Sequence, residues 1–231
     1  MADDQRVLFI TGASSGIGAA TASAALDAGW RVALCARSPA KLEHLAQELG
    51  AGDRVLTAPA DVTVWEELEA AVAHVSARFG RIDAVFANAG FGAKRGFLEE
   101  TPEQWRSMVL TNVYGAALTI RATMPTIVAA RGHVLLTGSV AGRRALPGSL
   151  YSATKFAVGA MAESLRQELN GSGARVTLIA PGMVDTSFFD SAPEIEALRP
   201  EDVAGAVLWA LGQPPHVDVN EILLRPTAQD G

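Results

Sequence analysis

Tyr151-Ser152-Ala153-Thr154-Lys155 sets a phenol and an ammonium at i and i+4, one turn apart on one face of a helix. A tyrosine hydroxyl, with an ordinary pKa of about 10, is a poor acid–base group at neutral pH. A lysine ammonium beside it stabilises the phenolate and brings proton exchange toward the working range. Alone, the pair equally describes a packing tyrosine beside a surface lysine, and two more polar residues narrow the choice. Ser139, in Thr137-Gly138-Ser139-Val140, closes a strand-like run twelve residues before Tyr151. Asn112, in Leu110-Thr111-Asn112-Val113, interrupts an apolar helical segment, where an unpartnered amide costs about 1–3 kcal/mol. It must be hydrogen-bonded, either at a helix bend or within a polar site. A phenol beside an ammonium is a pair that can exchange a proton, and a serine at a strand end adds a hydrogen-bonding hydroxyl.

A second chemistry-bearing stretch lies near the start. Thr11-Gly12-Ala13-Ser14-Ser15-Gly16-Ile17-Gly18 follows an apolar run and precedes an Ala-rich helical pattern. Glycines there permit a tight turn, close approach of a phosphate and close helix–strand packing. The helix start supplies unsatisfied N–H groups and a positive dipole end. Gly12, Ser14, Ser15, Gly16, Ile17 and Gly18 are therefore expected to hold the pyrophosphate of a dinucleotide; a merely structural turn is the other reading. Next to the second strand, Cys35-Ala36-Arg37-Ser38 lacks the carboxylate that would hold a ribose 2′-hydroxyl. A guanidinium and a hydroxyl suit a phosphate dianion, so NADP(H) is expected in preference to NAD(H). Arg37 is its donor in that reading and a solvated turn residue in the alternative.

These groups are far apart in sequence, so a scaffold must gather them. Strand candidates are Val7–Ile10, Arg31–Ala36, Arg54–Thr57, Ala84–Ala87, His133–Thr137, Arg175–Ile179 and Glu221–Leu224. Helical patterns alternate with them. Ser38-Pro39 starts one helix and Gly50 stops it; Trp65, Leu68, Val72, Val75 and Phe79 form the stripe of another. Thr101-Pro102-Glu103-Gln104 has the form of a capping box. The alternation implies a single α/β domain over 1–231, a doubly wound Rossmann-type parallel sheet of about seven strands with helices on both faces. In such sheets the ligand crevice lies outside the carboxyl ends of the strands, where Ser139 falls.

Composition sets outer bounds. The 231 residues are 49% hydrophobic and 19% charged, which excludes a disordered chain. Nineteen basic against twenty-five acidic residues give a net charge of −6 and no basic stripe, so no nucleic-acid partner is expected. Cys35 is the single cysteine and points to a reducing compartment. Met1-Ala2-Asp3-Asp4 lacks the basic region of a signal peptide, and apolar runs are well under twenty residues. A cytoplasmic protein with no membrane span and no metal is expected.

The Gly-x-x-x-Gly-x-Gly spacing, together with Asn88-Ala89-Gly90, Asn112, Ser139 and Tyr151-x-x-x-Lys155, resembles the short-chain dehydrogenase/reductase family over essentially the whole chain. The resemblance implies a hydride transfer between nicotinamide C4 and a carbonyl or secondary alcohol, catalysed by Asn112, Ser139, Tyr151 and Lys155. Ser139 would polarise the substrate oxygen and Tyr151 exchange its proton. Lys155 would lower the Tyr151 pKa and, with Tyr151, contact the nicotinamide ribose. Asn112 would hold a water linking Lys155 to solvent. Asp61 and Val62 would contact the adenine, although Asp61 also reads as the cap of the next helix. Asn88, Ala89 and Gly90 would line the cofactor, with Ala87 where a second Asn is common and Ala36 where NAD-preferring members carry Asp. Pro181, Gly182, Val184 and Thr186 would surround the nicotinamide, Thr186 at its carboxamide. A non-catalytic dinucleotide-sensing regulator would be expected to lack one of the four catalytic residues, and all four are present.

The resemblance further implies a substrate loop over about 183–199. Leu146, Met183, Phe188 and Phe189 are candidates for the pocket wall or for ordinary core. Arg143-Arg144 would meet a substrate carboxylate or simply be solvated. Val217–Thr227 is similar to the ending of members acting on 3-hydroxy acids or on hydroxy-amino acids such as serine and allo-threonine. The segments Met108–Val128 and Phe156–Leu169 are apolar on more than one face, which implies a homodimer or homotetramer built on them.

Overall fold

Strands shielded on both faces must be apolar along their whole length. The computed structural model, which describes residues 6–186 and 195–229, forms its sheet from such runs. They are β1 (Val7–Thr11), β2 (Arg31–Cys35), β3 (Val55–Thr57), β4 (Ala84–Ala87), β5 (His133–Thr137), β6 (Arg175–Pro181) and β7 (Glu221–Leu224). All pair in parallel, in the order β3-β2-β1-β4-β5-β6-β7. Consecutive registers place Ile10 beside Leu34 and Phe86, and Leu136 beside Ala87 and Leu178. The winding direction reverses between β1 and β4, which opens a crevice beyond their carboxyl ends. The seven expected strands are all present. Arg54 belongs instead to a 3-10 turn, Gly52–Arg54, whose last N–H is bonded to Ala51.

Helices α1 (Gly16–Asp27), α2 (Pro39–Leu49), α3 (Trp65–Phe79), α4 (Pro102–Val109), α5 (Ala116–Ala130), α6 (Leu150–Glu168) and α7 (Pro200–Leu211) cover both faces. On one face Leu8, Ile10, Phe86 and Leu135 pack against α1, α2 and α7. On the other, Phe9, Val85, Leu136 and Leu178 meet α3, α5 and α6. Ser38 caps α2 by accepting from Lys41 N, and Gly50 ends it at φ 59°, a left-handed value suited to glycine. Two expected caps differ. Val64, not Asp61, precedes α3, because Asp61 Oδ1 instead accepts from Thr63 N and Oγ1 at 2.9 and 2.7 Å. At α4 Thr101 accepts from Gln104 N at 3.1 Å, but the Thr101 N–H donates to Glu100, so the reciprocal half of the box is missing.

Between α4 and α5 the chain makes a π-helical turn, Leu110–Gly115, so that Pro102–Ala130 runs on as 29 helical residues. By length and composition this run could cross a membrane, a criterion that scattered apolar residues meet without one long apolar stretch. Its apolar side chains are divided: Met108, Leu118, Ile120 and Ile127 are buried, whereas Val109, Leu110, Tyr114 and Val128 are exposed.

Candidate active site

The crevice is bounded first by the turn after β1. Gly12 and Gly16 have φ of 64° and 52°, values that β-carbon-bearing residues avoid. A Cβ on Gly12 would lie 2.8 Å from Ala89 Cα, and one on Gly18 would overlap the Gly12 carbonyl oxygen. Gly18 thus serves packing behind the loop and does not face the crevice. Ser15 precedes α1 in extended conformation, gives no side-chain cap, and no acidic residue stands in the first turn. The first N–H groups of α1 are consequently open to an anion. The turn fits a pyrophosphate.

From here a cleft of about 780 Å³ runs along the carboxyl ends of the strands. Gly12, Ser14, Ser15, Gly16 and Ile17 line it, as do Arg37, Asp61, Val62, Asn88, Ala89 and Gly90. Ser139, Tyr151, Lys155, Pro181, Gly182, Val184 and Thr186 line it farther along. Ala36, Ser38 and Lys41 join Arg37, so the end near β2 carries two cations where a carboxylate is lacking. Lys41 is a residue the sequence reading missed; the Ser38-Pro39 helix start places it on the first turn of α2, near Arg37. Its backbone amide donates to Ser38 Oγ.

Asn88, expected to face the cofactor, also ties three strands together. Its Nδ2 donates to the Thr11 and Gly12 carbonyls at 3.1 and 3.4 Å, and its Oδ1 accepts from Thr137 Oγ1 at 3.1 Å. Thr11 Oγ1 accepts from the backbone N–H groups of Asn88 and Ala89 at 3.0 and 3.2 Å. The floor of the cleft is therefore held by side chains and not by the sheet ladder alone.

The catalytic candidates converge at the start of α6, which Ser149 caps by accepting from Ser152 N at 3.1 Å. Ser139 opens a 3-10 turn, Val140–Gly142, with its Oγ accepting from Ala141 N at 3.1 Å. A Cβ on Gly142 would lie 2.7 Å from the Lys155 carbonyl oxygen, so this turn sits tightly on α6 and fixes Ser139 beside Tyr151. Burial pushes the Tyr151 hydroxyl up to about 12, against the opposing effect of a hydrogen bond from Ser139. In the protein alone the shift thus runs opposite to the lowering expected from Lys155. The cause is burial: the ammonium, also buried, is itself pushed down to about 8. Lys155 Nζ donates to the Thr137 carbonyl at 2.7 Å and lies 5.6 Å from the Tyr151 ring centroid.

Asn112 lies in the π-helical turn, 2% exposed and behind the cleft wall. Its Nδ2 donates to the Phe91 carbonyl and Thr154 Oγ1 at 2.9 and 3.1 Å; its Oδ1 accepts from Phe91 N at 3.0 Å. These contacts are those of a helix-bend amide, and a Cβ on Gly90 would lie 3.0 Å from Asn112 Oδ1 and 3.7 Å from Lys155 Nζ, so the amide and the ammonium border the same glycine. A π-helical turn breaks the regular pairing of main-chain carbonyls, a device common at functional sites.

Arg143 neither faces a substrate nor is simply solvated. It makes a two-pronged ion pair with Glu221 of β7, both contacts at 2.6 Å. At the entrance, Arg95, Gln104 and Ser107 line the cleft beside Phe91, Leu146 and Met183. The Arg95 loop is held by Gly96 N donating to the Gly148 carbonyl at 2.9 Å. The two ends of the expected substrate loop are joined by Asp185 N to Leu198 O, 2.8 Å, and Leu198 N to Met183 O, 3.0 Å. Phe188 and Phe189 lie outside the described residues.

Comparison with known proteins agrees with this geometry. The short chain dehydrogenase family model matches residues 6–197. An uncharacterized oxidoreductase of Staphylococcus aureus (strain MRSA252) is 38% identical over 96% of this chain and 97% of its own. One from Staphylococcus haemolyticus is 41% identical with the same coverage. Among solved structures, an alcohol dehydrogenase from the archaeon Thermococcus sibiricus, complexed with 5-hydroxy-NADP, superposes with TM-score 0.92. It is 34% identical over 99% of each chain. Serine dehydrogenase from Escherichia coli is 32% identical over 97% of this chain and 100% of its own, with TM-score 0.88. With its all-parallel sheet and the glycine turn after β1, the chain belongs to the short-chain dehydrogenase family of oxidoreductases.

Proposed function

We propose that the protein is an NADP(H)-dependent oxidoreductase acting on a carbonyl or secondary alcohol, with Tyr151 as its acid and base. The observation that carries this reading is the Ser139–Tyr151 hydrogen bond, with Lys155 one turn away, in the same cleft as the uncapped start of α1. The bound cofactor supplies the hydride chemistry. The residues of the chain hold it and handle the proton. The N–H groups at Gly16 and Ile17 receive the pyrophosphate; Arg37, Ser38 and Lys41 receive a 2′-phosphate; Asp61 and Val62 face the adenine side. Thr186 and the Pro181–Val184 wall border the nicotinamide side. Ser139 Oγ accepts from Ala141 N, and its one hydrogen, given to Tyr151 in the protein alone, turns to the substrate oxygen in the complex. Tyr151, held protonated by burial, gives its proton to the substrate oxygen during reduction and regains it through Lys155 and the π-helical turn. The segment 183–199 forms the substrate loop.

Three similar structures, the alcohol dehydrogenase with 5-hydroxy-NADP, the closed form of serine dehydrogenase with NADP+ and a metagenomic short-chain oxidoreductase with NADP, support the cofactor assignment. A variant Tyr151→Phe is expected to bind NADPH and to lose turnover by at least about a thousandfold. Wild-type activity in that variant refutes the mechanism. Wild-type protein that binds NADPH and turns over nothing in a panel of ketones, hydroxy acids and hydroxy-amino acids is instead a dinucleotide sensor. NADPH is expected to exceed NADH in kcat/KM.

A 3-hydroxy acid or hydroxy-amino acid substrate is a second, finer reading. It is favoured by Arg95, which lines the entrance and has no hydrogen-bond or ion-pair partner among the described residues. Arg95→Ala then raises KM for acids and leaves neutral ketones unaffected. The exposed Val109, Leu110, Tyr114 and Val128, with Phe156 at 44% exposure on α6, support a homodimer or homotetramer. Sedimentation of a monomer at micromolar concentration refutes it.

A further inference from the structure

The chain beyond β7 returns to the cleft. Gln229 N donates to the Pro226 carbonyl at 3.0 Å, closing a turn that brings the Gln229 side chain to the cleft wall. There its Oε1 accepts from the backbone N–H of Met183 at 2.9 Å. The neighbouring Gly182 N–H donates to the Leu224 carbonyl at 2.7 Å. A Cβ on Gly182 would overlap the Gln229 side-chain oxygen, so the carboxamide rests directly on this peptide. From the other side, the Met183 carbonyl accepts from Leu198 N at 3.0 Å. The Met183 peptide is thus held at its N–H by Gln229 and at its carbonyl by the base of the substrate loop.

We propose that Gln229 is a positioning residue that fixes the Gly182–Met183 wall of the cleft through the Met183 amide, and so sets how firmly the cleft holds the cofactor. The inference rests on the cofactor-binding reading given above. An amide N–H deprived of its acceptor in a partly buried place is regained by water only if the backbone moves. Losing Gln229 Oε1 therefore displaces the wall instead of merely weakening the fold. The acceptor atom is what matters, so a glutamate, which offers the same oxygen, retains the bond, and a leucine of similar volume does not.

The test uses the whole chain as wild type, Gln229→Leu and Gln229→Glu. Hydrogen exchange of the peptide spanning Met183 is read by mass spectrometry, and NADPH affinity by fluorescence titration. Gln229→Leu is expected to speed exchange at the Met183 amide about tenfold and weaken NADPH binding about fivefold. Gln229→Glu is expected to restore the exchange protection. Wild-type exchange in Gln229→Leu overturns the proposal, as does equally fast exchange in Gln229→Glu. Faster exchange with unaltered NADPH affinity overturns its second half. If the wild type binds no NADPH or NADH, the cofactor reading fails, and the exchange comparison still decides whether Gln229 holds this peptide.

Discussion

His133, at the amino end of β5, makes the stability of the fold sensitive to acid. It is 2% exposed, and its Nε2 lies 2.7 Å from Thr177 Oγ1. The Thr177 hydroxyl spends its only hydrogen on the Val219 carbonyl at 2.6 Å, so Nε2 must be the donor. Nδ1 is then a bare lone pair, buried and without a partner among the described residues. A proton added there finds no acceptor and faces the nearby Arg175; burial first and that cation second push His133 down to about 3 from 6.5. A folded value below the unfolded one means that His133 contributes fully above pH 6.5. The contribution is lost as pH falls from 6.5 toward 3. Between pH 7.5 and 5 the loss is about 2 kcal/mol, at 1.36 kcal/mol per pH unit below 6.5. For a chain of this size that lowers Tm by about 4–8 °C. Urea unfolding at both pH values checks it, on wild type and His133→Leu. The variant forfeits the Thr177 bond and is weaker at both, but its drop between them should be smaller by about 2 kcal/mol. Carboxylate titrations are shared by the two proteins and cancel. Equal drops refute the reasoning.

Three other substitutions probe the cleft. Gly90→Ala places a Cβ 3.0 Å from Asn112 Oδ1 and 3.7 Å from Lys155 Nζ. It should lower kcat about tenfold and stability by about 1–3 kcal/mol, read from turnover and urea midpoints. Ala36→Asp introduces a carboxylate beside Arg37, and the ratio of kcat/KM for NADPH over NADH should fall at least about tenfold; an unchanged ratio refutes the 2′-phosphate site. Asn88→Ala removes the side-chain donor to two carbonyls and the acceptor of the Thr137 hydroxyl, a loss of about 2 kcal/mol in denaturation experiments.

The strands were readable because burial on both faces makes them continuous apolar runs, and α2 because Ser38, Pro39 and Gly50 act locally. Asn112 stood out as a polar residue in an apolar helix, but no local pattern announces the π-helical turn that carries it. Pairings between distant segments were not legible: Arg143 finds Glu221 across 78 positions, and Gln229 finds Met183 across 46. Periodicity reports which side of an element is buried, not which remote group waits there. The Tyr151 shift shows a second limit. A neighbouring lysine can be read from i, i+4 spacing, but the depth of burial that outweighs it cannot.

Asn88 has a mechanical consequence. The Gly12 carbonyl, Asn88 carboxamide, Thr137 and Lys155 Nζ form one unbroken chain of contacts from the phosphate turn to the buried ammonium. A ligand that moved the turn and Asn88 with it would, through Thr137, also move the acceptor of the Lys155 ammonium. The Asn88 side chain touches both the phosphate turn and the residue whose carbonyl holds the buried ammonium, so a change at Asn88 is felt at both ends of the cleft.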